Sequence, residues 1–238
     1  MNKVSRAIIM CAGLGKRMQP ITLDTPKPLV KVNGVPMVET VINGLHEKDI
    51  YEIHIVVGYL AEQFAYLAEK YEGIDIISNP LYAECNNISS LYFARNYIGE
   101  AIILDGDQII LNSECLKTEY EKSGYSAVWT DDITEEWLME VEDNTVKACS
   151  RTGGEHGWQL YSISRWTKED GLKLKKYVEE EFESGNRQIY WDDVAMFCHF
   201  DQFDLGIVPM SKGDILEIDS IEELIAIDSS YEIYMREI

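Results

Sequence analysis

A short segment near the start of the chain gathers the residue types that hold phosphate: Gly13-Leu14-Gly15-Lys16-Arg17, then Lys27 between Pro26 and Pro28. Glycines let a backbone approach an anion closely, and successive N–H groups can point at it. Lysine and arginine neutralise the charge. The segment follows an apolar run, Ala7-Ile8-Ile9-Met10-Cys11, that reads as a buried strand. Its spacing fits neither standard phosphate loop. A dinucleotide-binding turn needs a third glycine where Met18 stands. A Walker-type loop needs its first glycine at Met10 and a hydroxyl residue at Arg17.

A second cluster is acidic. Asp105-Gly106-Asp107 follows the apolar run Ala101 to Leu104, and Asp219 stands in Glu217-Ile218-Asp219-Ser220 at another expected strand end. In parallel α/β sheets, ligands collect at the carboxyl ends of the strands. The basic loop and these carboxylates are therefore expected to face one cleft. One or two carboxylates plus phosphate oxygens suit Mg²⁺. The plainer reading makes Asp105-Gly106-Asp107 a turn and Asp219 a helix cap.

The elements that must position these residues follow a clear rhythm in the first half. Strands are predicted at Ala7–Cys11, Ile53–Val57, Ile74–Ile77 and Ala101–Leu104, with helices over Met37–Lys48, Ala61–Tyr71 and Ile88–Tyr97. Strand and helix in alternation imply a parallel sheet covered on both faces. From about Tyr125 the pattern changes. Strands are expected at Ser126–Thr130, Leu138–Val141, Thr145–Ser150, Gly157–Ser164, Leu205–Pro209 and Ile215–Ile218, with a hairpin turn at Asp143-Asn144. Helices are expected over Thr167–Glu183, around Trp191–His199, and over Ser220–Asp228 with Asp219 or Ser220 as N-cap. No linker, repeat or low-complexity tract divides the chain. The expected organisation is one domain over 1–238, with a nucleotide-binding half (1–124) and an acceptor-binding half (125–238).

Composition narrows the partners. The chain has 238 residues, 46% of them hydrophobic, and a net charge of -21. A nucleic-acid binder would normally carry a basic face, so nucleic acid is not an expected partner. The basic residues clustered in the first 31 positions instead localise phosphate affinity. Five scattered cysteines, Cys11, Cys85, Cys115, Cys149 and Cys198, form no C-x-x-C pair. They argue for a reducing compartment and against structural zinc. No apolar run is long enough to span a membrane and no signal peptide is visible, so a cytoplasmic location without membrane insertion is expected. The pattern leaves oligomeric state open.

Three separated motifs carry a family resemblance. Ala12-Gly13-Leu14-Gly15-Lys16-Arg17-Met18-Gln19-Pro20-Ile21-Thr22, Pro26-Lys27-Pro28-Leu29 and Gly34-Val35-Pro36-Met37 occur in the order found in nucleotidyltransferases that make NDP-sugars and CDP-alcohols. The chain resembles that family over most of residues 1–110 and again at Glu217–Ser220. The resemblance implies a Rossmann-like three-layer α/β/α fold with a mixed, mainly parallel sheet and an inserted acceptor-binding region. It implies that Gly13, Gly15 and Lys16 cradle nucleotide phosphates and that Arg17 helps hold the leaving pyrophosphate. It also implies that Lys27 contacts the reacting phosphate, and that Asp107 and Asp219 bind Mg²⁺. Ala12, Asn86, Asn87, Ser89 and Asp105 join the expected nucleotide-binding set.

Within the family the second half is similar to bacterial CTP:phosphocholine cytidylyltransferases. The residues responsible are Tyr82, Asn86 to Tyr92, Asp105 to Gln108 and Tyr190-Trp191-Asp192-Asp193. Cys85-Asn86-Asn87 stands where sugar-nucleotide enzymes have a Gln-rich, Pro-containing base loop. This resemblance implies transfer of CMP from CTP to phosphocholine by in-line displacement, with Lys27, Arg17 and Asp107 catalytic. Trp137, Tyr190, Asp192 and Trp158 are the expected acceptor site, since a trimethylammonium group is recognised by aromatic faces and nearby carboxylates. Phosphoethanolamine, aminoethylphosphonate or a sugar-1-phosphate remain alternative acceptors, CTP is not distinguished from other nucleotides by residues alone, and a non-catalytic nucleotide-binding regulator remains a further alternative.

Overall fold

The computed structural model describes residues 1–236. Nine strands form its central sheet: β1 (Arg6–Cys11), β2 (Glu52–Val57), β3 (Ile74–Ser78), β4 (Ala101–Asp105), β5 (Gly124–Thr130), β6 (Leu138–Glu142), β7 (Thr145–Ser150), β8 (Gly157–Trp166) and β9 (Gly206–Pro209). The order along the sheet is β7-β6-β8-β4-β1-β2-β3, with β5 and then β9 paired on the other side of β8. β4, β1, β2 and β3 run parallel, as the alternating strand and helix pattern predicts. β8 runs antiparallel to both β4 and β5, so the sheet is mixed, as expected.

Alternation along the parallel strands builds two cores. Ile8 and Met10 of β1 face one side of the sheet, with Ile103 of β4. Ala7, Ile9 and Cys11 face the other, with Ile102 and Leu104. Helices α1 (Met37–Glu47) and α2 (Ala65–Lys70) cover the second side. Helices α3 (Ile88–Ala94) and α4 (Lys168–Ser184) cover the first. The result is the three-layer α/β/α arrangement. A third, smaller core joins Met18, Val30 and Met37 to the C-terminal helix α5 (Ile221–Ile227).

Several expected helices are broken by their ends. Ala61–Phe64 and Arg95–Tyr97 are 3₁₀ turns flanking α2 and α3. Trp191–Asp193 is one α-turn that runs into a π-turn at Val194–Cys198. Ser220 is the N-cap of α5: its hydroxyl accepts from the Glu223 N–H and the Glu223 carboxylate accepts in return. The β6–β7 turn has φ of 48° at Asp143 and 55° at Asn144, the double left-handed geometry that this dipeptide favours. Ile215–Glu217 is a strand as expected, but it pairs with Gln108–Ile110 outside the main sheet. Among the described residues, no helix is long and apolar enough to cross a membrane.

Two sheet irregularities open the space in which chemistry can occur. On one edge, β8 pairs with β4 through Ile163–Trp166 and with β6 through Trp158 and Gln159. Past Leu160, whose N–H still donates to the Trp137 carbonyl at 2.9 Å, the edge parts, leaving Leu160 and Ser162 beside a cleft. On the opposite edge, two steps of β5 from Tyr125 to Ala127 span four of β8, a bulge that strengthens the local bend.

Candidate active site

Three connected depressions lie at the carboxyl ends of β1 and β4. A basic pocket of about 240 Å³ is lined by Gly13, Gly15, Lys16, Arg17 and Lys27. An acidic cleft of about 300 Å³ shares Arg17, Lys27, Asp107 and Asp219 with it. A polar pocket of about 140 Å³ meets the first at Gly13 and the second at Asn87. The expected convergence of the basic loop and the acidic cluster is therefore real.

Backbone geometry places the basic groups. Gly15 has φ of +61°, and a Cβ there would lie 3.0 Å from both Lys27 Cβ and Thr22 Cγ2. Glycine is needed for the turn and for the close approach of the two loop segments. The Thr22 hydroxyl donates to the Gly15 carbonyl at 2.8 Å and locks that approach. Lys16–Met18 then makes a 3₁₀ turn whose apolar member, Met18, is fully buried, leaving Lys16 and Arg17 exposed.

Strand register places the acidic groups. Gln108 pairs with Glu217, so Asp107 and Asp219 flank one antiparallel pair although they are remote in sequence. Both carboxylates converge on Lys27: its ammonium lies 2.7 Å from Asp107 Oδ2 and 2.8 Å from Asp219 Oδ1. Arg17 reaches the other oxygen of Asp219 at 3.0 Å. Burial works against the charge on Lys27, but the two carboxylates outweigh it and hold its pKa above the usual lysine value. Burial likewise opposes the charge on Asp219, and Lys27 with Arg17 reverses the effect and lowers its pKa.

The cleft beyond this knot is rich in carboxyl groups. Burial pushes Asp105 well up, with the charges of Asp107 and Asp192 adding to it and the Ser162 hydroxyl opposing. Burial pushes Asp192 up to about 7, Tyr125 opposing and Asp193 adding. Glu217 rises to about 6, chiefly through burial, although it accepts from Gln108 Nε2 at 2.9 Å. Asp192 Oδ1 and Gln108 Oε1 are buried without a hydrogen-bond partner. Trp137 and Tyr190 form the aromatic corner of the cleft, edge to face with centroids 6.1 Å apart.

Most of the expected residues are brought together. Ala12, Asn86, Asn87 and Ser89 line the polar pocket, and Asn79, missed in the sequence, supports them. It is buried and donates to the hydroxyls of Ser89 and Ser90 at 2.9 and 3.0 Å. Its only sequence signal is a polar residue directly after β3. Trp137, Tyr190 and Asp192 share the acidic cleft.

Two placements correct the sequence reading. Asp105 lies on the acidic cleft and not on the polar or basic pocket, because β4 ends there facing Ser162 and Asp192. Trp158 lies outside the cleft. It pairs with Trp129 across β5–β8 and with Met139 across β6–β8, so its ring packs edge-on against Trp129, 5.6 Å away, in a separate depression. Leu160, Ser162 and Glu217 line the cleft unannounced. Glu217 was readable from its place two residues before Asp219; the other two depend on where the pairings of β6 and β4 along β8 end.

Comparison with known proteins agrees with this geometry. Residues 7–156 match the MobA-like NTP transferase domain. The chain is 37% identical over 235 residues to 2-aminoethylphosphonate cytidylyltransferase of Lancefieldella rimae, covering 98% of this chain and 95% of that protein. It is 33% identical over 219 residues to choline-phosphate cytidylyltransferase of Streptococcus pneumoniae, covering 92% and 94%. The solved structure of the CTP:phosphocholine cytidylyltransferase from Streptococcus pneumoniae aligns with a TM-score of 0.87 over 98% of this chain and 99% of that one. The chain belongs to the MobA-like NTP transferase family, among its cytidylyltransferases. The expected fold and the expected class of reaction are both borne out.

Proposed function

We propose that the protein transfers CMP from CTP to a small acceptor bearing a phosphonate or phosphate at one end and a primary ammonium at the other, as in 2-aminoethylphosphonate. The observation that carries the acceptor is the set of carboxyl groups lining one cleft, Asp105, Glu136 and Asp192. Such acceptors call for a donor. A primary ammonium brings three N–H groups, whereas a trimethylammonium brings none. The two named relatives act on one acceptor of each kind, so this choice departs from the phosphocholine expected from the sequence. Phosphocholine remains the second reading, favoured by the Trp137–Tyr190 corner, since aromatic faces attract quaternary ammonium.

In the proposed reaction an acceptor oxygen attacks the α-phosphorus in line and pyrophosphate leaves. The attacking group is already an anion, so no covalent enzyme intermediate is needed. Catalysis is positioning plus charge stabilisation. The polar pocket takes the base through Asn86, Asn87 and Ser89, and the basic pocket takes the phosphates. Lys27, at the junction of pocket and cleft, neutralises charge at the reacting centre. Lys16 and Arg17 stabilise the pyrophosphate as it departs.

Asp107 and Asp219 fit a divalent cation of the Mg²⁺ kind. Their oxygens converge on one cationic point, now the Lys27 ammonium. Among the described residues no group of three or more His, Cys, Asp or Glu converges as a metal cage. A pair of carboxylates suits an ion that takes its remaining ligands from substrate phosphate and water. Such an ion, when bound, supplies positive charge to the phosphate oxygens.

The test is pyrophosphate release with each ribonucleotide triphosphate against 2-aminoethylphosphonate, phosphoethanolamine, phosphocholine and a sugar-1-phosphate. CTP with 2-aminoethylphosphonate is expected to exceed phosphocholine by at least about tenfold in kcat/KM. The reverse preference establishes the second reading. No release with any acceptor, despite CTP binding, refutes the assignment.

A further inference from the structure

Arg151 belongs to no group that the proposed reaction uses, and nothing in its sequence context distinguishes it. It follows β7, yet its guanidinium reaches the turn that carries Tyr190 and Asp192. Nη2 lies 2.5 Å from Asp193 Oδ1, and the other oxygen of Asp193 accepts from the Tyr190 N–H at 2.8 Å. Asp193 is buried, so losing this partner leaves a buried carboxyl group without its counter-charge. The guanidinium carbon also stands 3.9 Å from the centre of the Phe197 ring and 5.9 Å from that of Trp137. Phe197 in turn meets the Trp137 ring edge to face at 5.2 Å.

One side chain thus links both walls of the aromatic corner, through Asp193 on one side and Phe197 on the other. Through Asp193 it holds the backbone from which Tyr190 projects. Through Phe197 and Trp137 it steadies the facing ring. It also pairs with Asp193, leaving Asp192 as the carboxyl of that dipeptide that lines the cleft. A lysine could keep the ion pair but not the contact of a broad, planar guanidinium with the Phe197 ring.

We propose that Arg151 is a positioning residue for the acceptor head group, setting the spacing of the Trp137–Tyr190 corner and with it the selectivity between primary and quaternary ammonium. The inference rests on the assignment of the acidic cleft as the acceptor site. Its consequence is selective: acceptor KM moves far more than CTP KM or kcat, because the basic pocket is built from other elements and the polar pocket meets this turn through backbone hydrogen bonds, such as Trp191 N–H to Asn87 Oδ1 at 2.8 Å, that Arg151 does not touch.

The experiment measures steady-state kinetics of Arg151→Met, Arg151→Lys, Asp193→Asn and the Arg151→Met/Asp193→Asn double variant. 2-Aminoethylphosphonate and phosphocholine serve as acceptors, with thermal melts run alongside. Arg151→Met is expected to raise acceptor KM about tenfold, with kcat and CTP KM within about twofold of wild type. The ratio of kcat/KM for the two acceptors is expected to shift at least about fivefold, the phosphocholine value falling further because it leans on the rings. Arg151→Lys should restore part of the KM and less of the ratio. The double variant should be no worse than the poorer single one, since both break one clamp. An unchanged ratio in Arg151→Met overturns the inference, as does a loss of kcat and CTP affinity that merely tracks the melting temperature. Absence of transfer to either acceptor by the wild-type protein instead removes the assignment of the cleft, and the inference with it.

Discussion

At the scale of single residues, the site is a set of charges held in mutual check. Lys27 is almost buried and keeps its proton because two carboxylates face it. Lys27→Ala should lower kcat by about 10²–10³, the range for losing one preorganised charge-stabilising donor. A rapid-quench or coupled pyrophosphate assay at saturating CTP checks this. Asp192 makes the opposite kind of prediction. Its carboxyl is pushed up to about 7 by burial, with Asp193 adding, Tyr125 opposing, and Asp105 and Cys149 facing it from β4 and β7. The folded state therefore favours the neutral acid, and this contribution to stability is present at low pH and lost as pH rises through about 7. Asp192→Asn should melt higher than wild type at alkaline pH, the difference shrinking as pH falls. Acceptor binding runs the other way, because an ammonium needs the carboxylate. Wild-type kcat/KM for the acceptor should fall below pH about 7 more steeply than that of Asp192→Asn, as pH profiles of both proteins would show.

At the scale of elements, much of the positioning was legible. The glycine-rich loop after β1, the carboxylates after β4 and the cap of α5 all sit where local chemistry puts them. Gly106 shows how tightly the β4 end is built. Its N–H donates to the Met10 carbonyl at 3.0 Å, and a Cβ there would lie only 2.2 Å from Cys11 Sγ. Gly106→Ala should therefore push the Asp105–Asp107 loop off β1, destabilise the protein by about 1–3 kcal/mol and impair turnover. Cys11→Ala in the same chain should recover part of both, measurable by denaturant titration and assay. The second half was less readable for a physical reason. A strand's own pattern tells which face is apolar, but not which neighbour leaves it. The gap in the β8 edge beside Ser162 exists because the pairing with β4 ends at Ile163 and the pairing on the β6 side ends at the hydrogen bond from Leu160 N–H to the Trp137 carbonyl. The same uncertainty misplaced Trp158, whose type suited the head-group site but whose partners are Trp129 and Met139.

At the scale of the whole molecule, the C-terminal segment returns to the N-terminal loop. Leu224 and Ile221 of α5 pack with Met18, Val30 and Met37, Asp228 accepts from the Asn33 N–H at 2.8 Å, and Tyr231 donates to the Lys31 carbonyl at 2.7 Å. This third core braces the segment that carries Arg17 and Lys27 from below. Leu224→Ala should cost about 2–5 kcal/mol and also raise CTP KM, whereas Ile42→Ala, equally buried against the sheet, should cost a similar amount without that rise. Stability curves and CTP kinetics on the two variants separate a brace from a general loss of packing. The sequence by itself determined the alternation that makes a three-layer sheet, the phosphate-suited loop and the acidic residues at strand ends, because these depend on local periodicity and side-chain chemistry. The tertiary structure decided which distant groups meet: Lys27 between Asp107 and Asp219, Asp192 beside Tyr125 at the cleft, and Arg151 clamped to Asp193. Those meetings depend on strand order, register and burial, which are properties of the packed chain and not of any window along it.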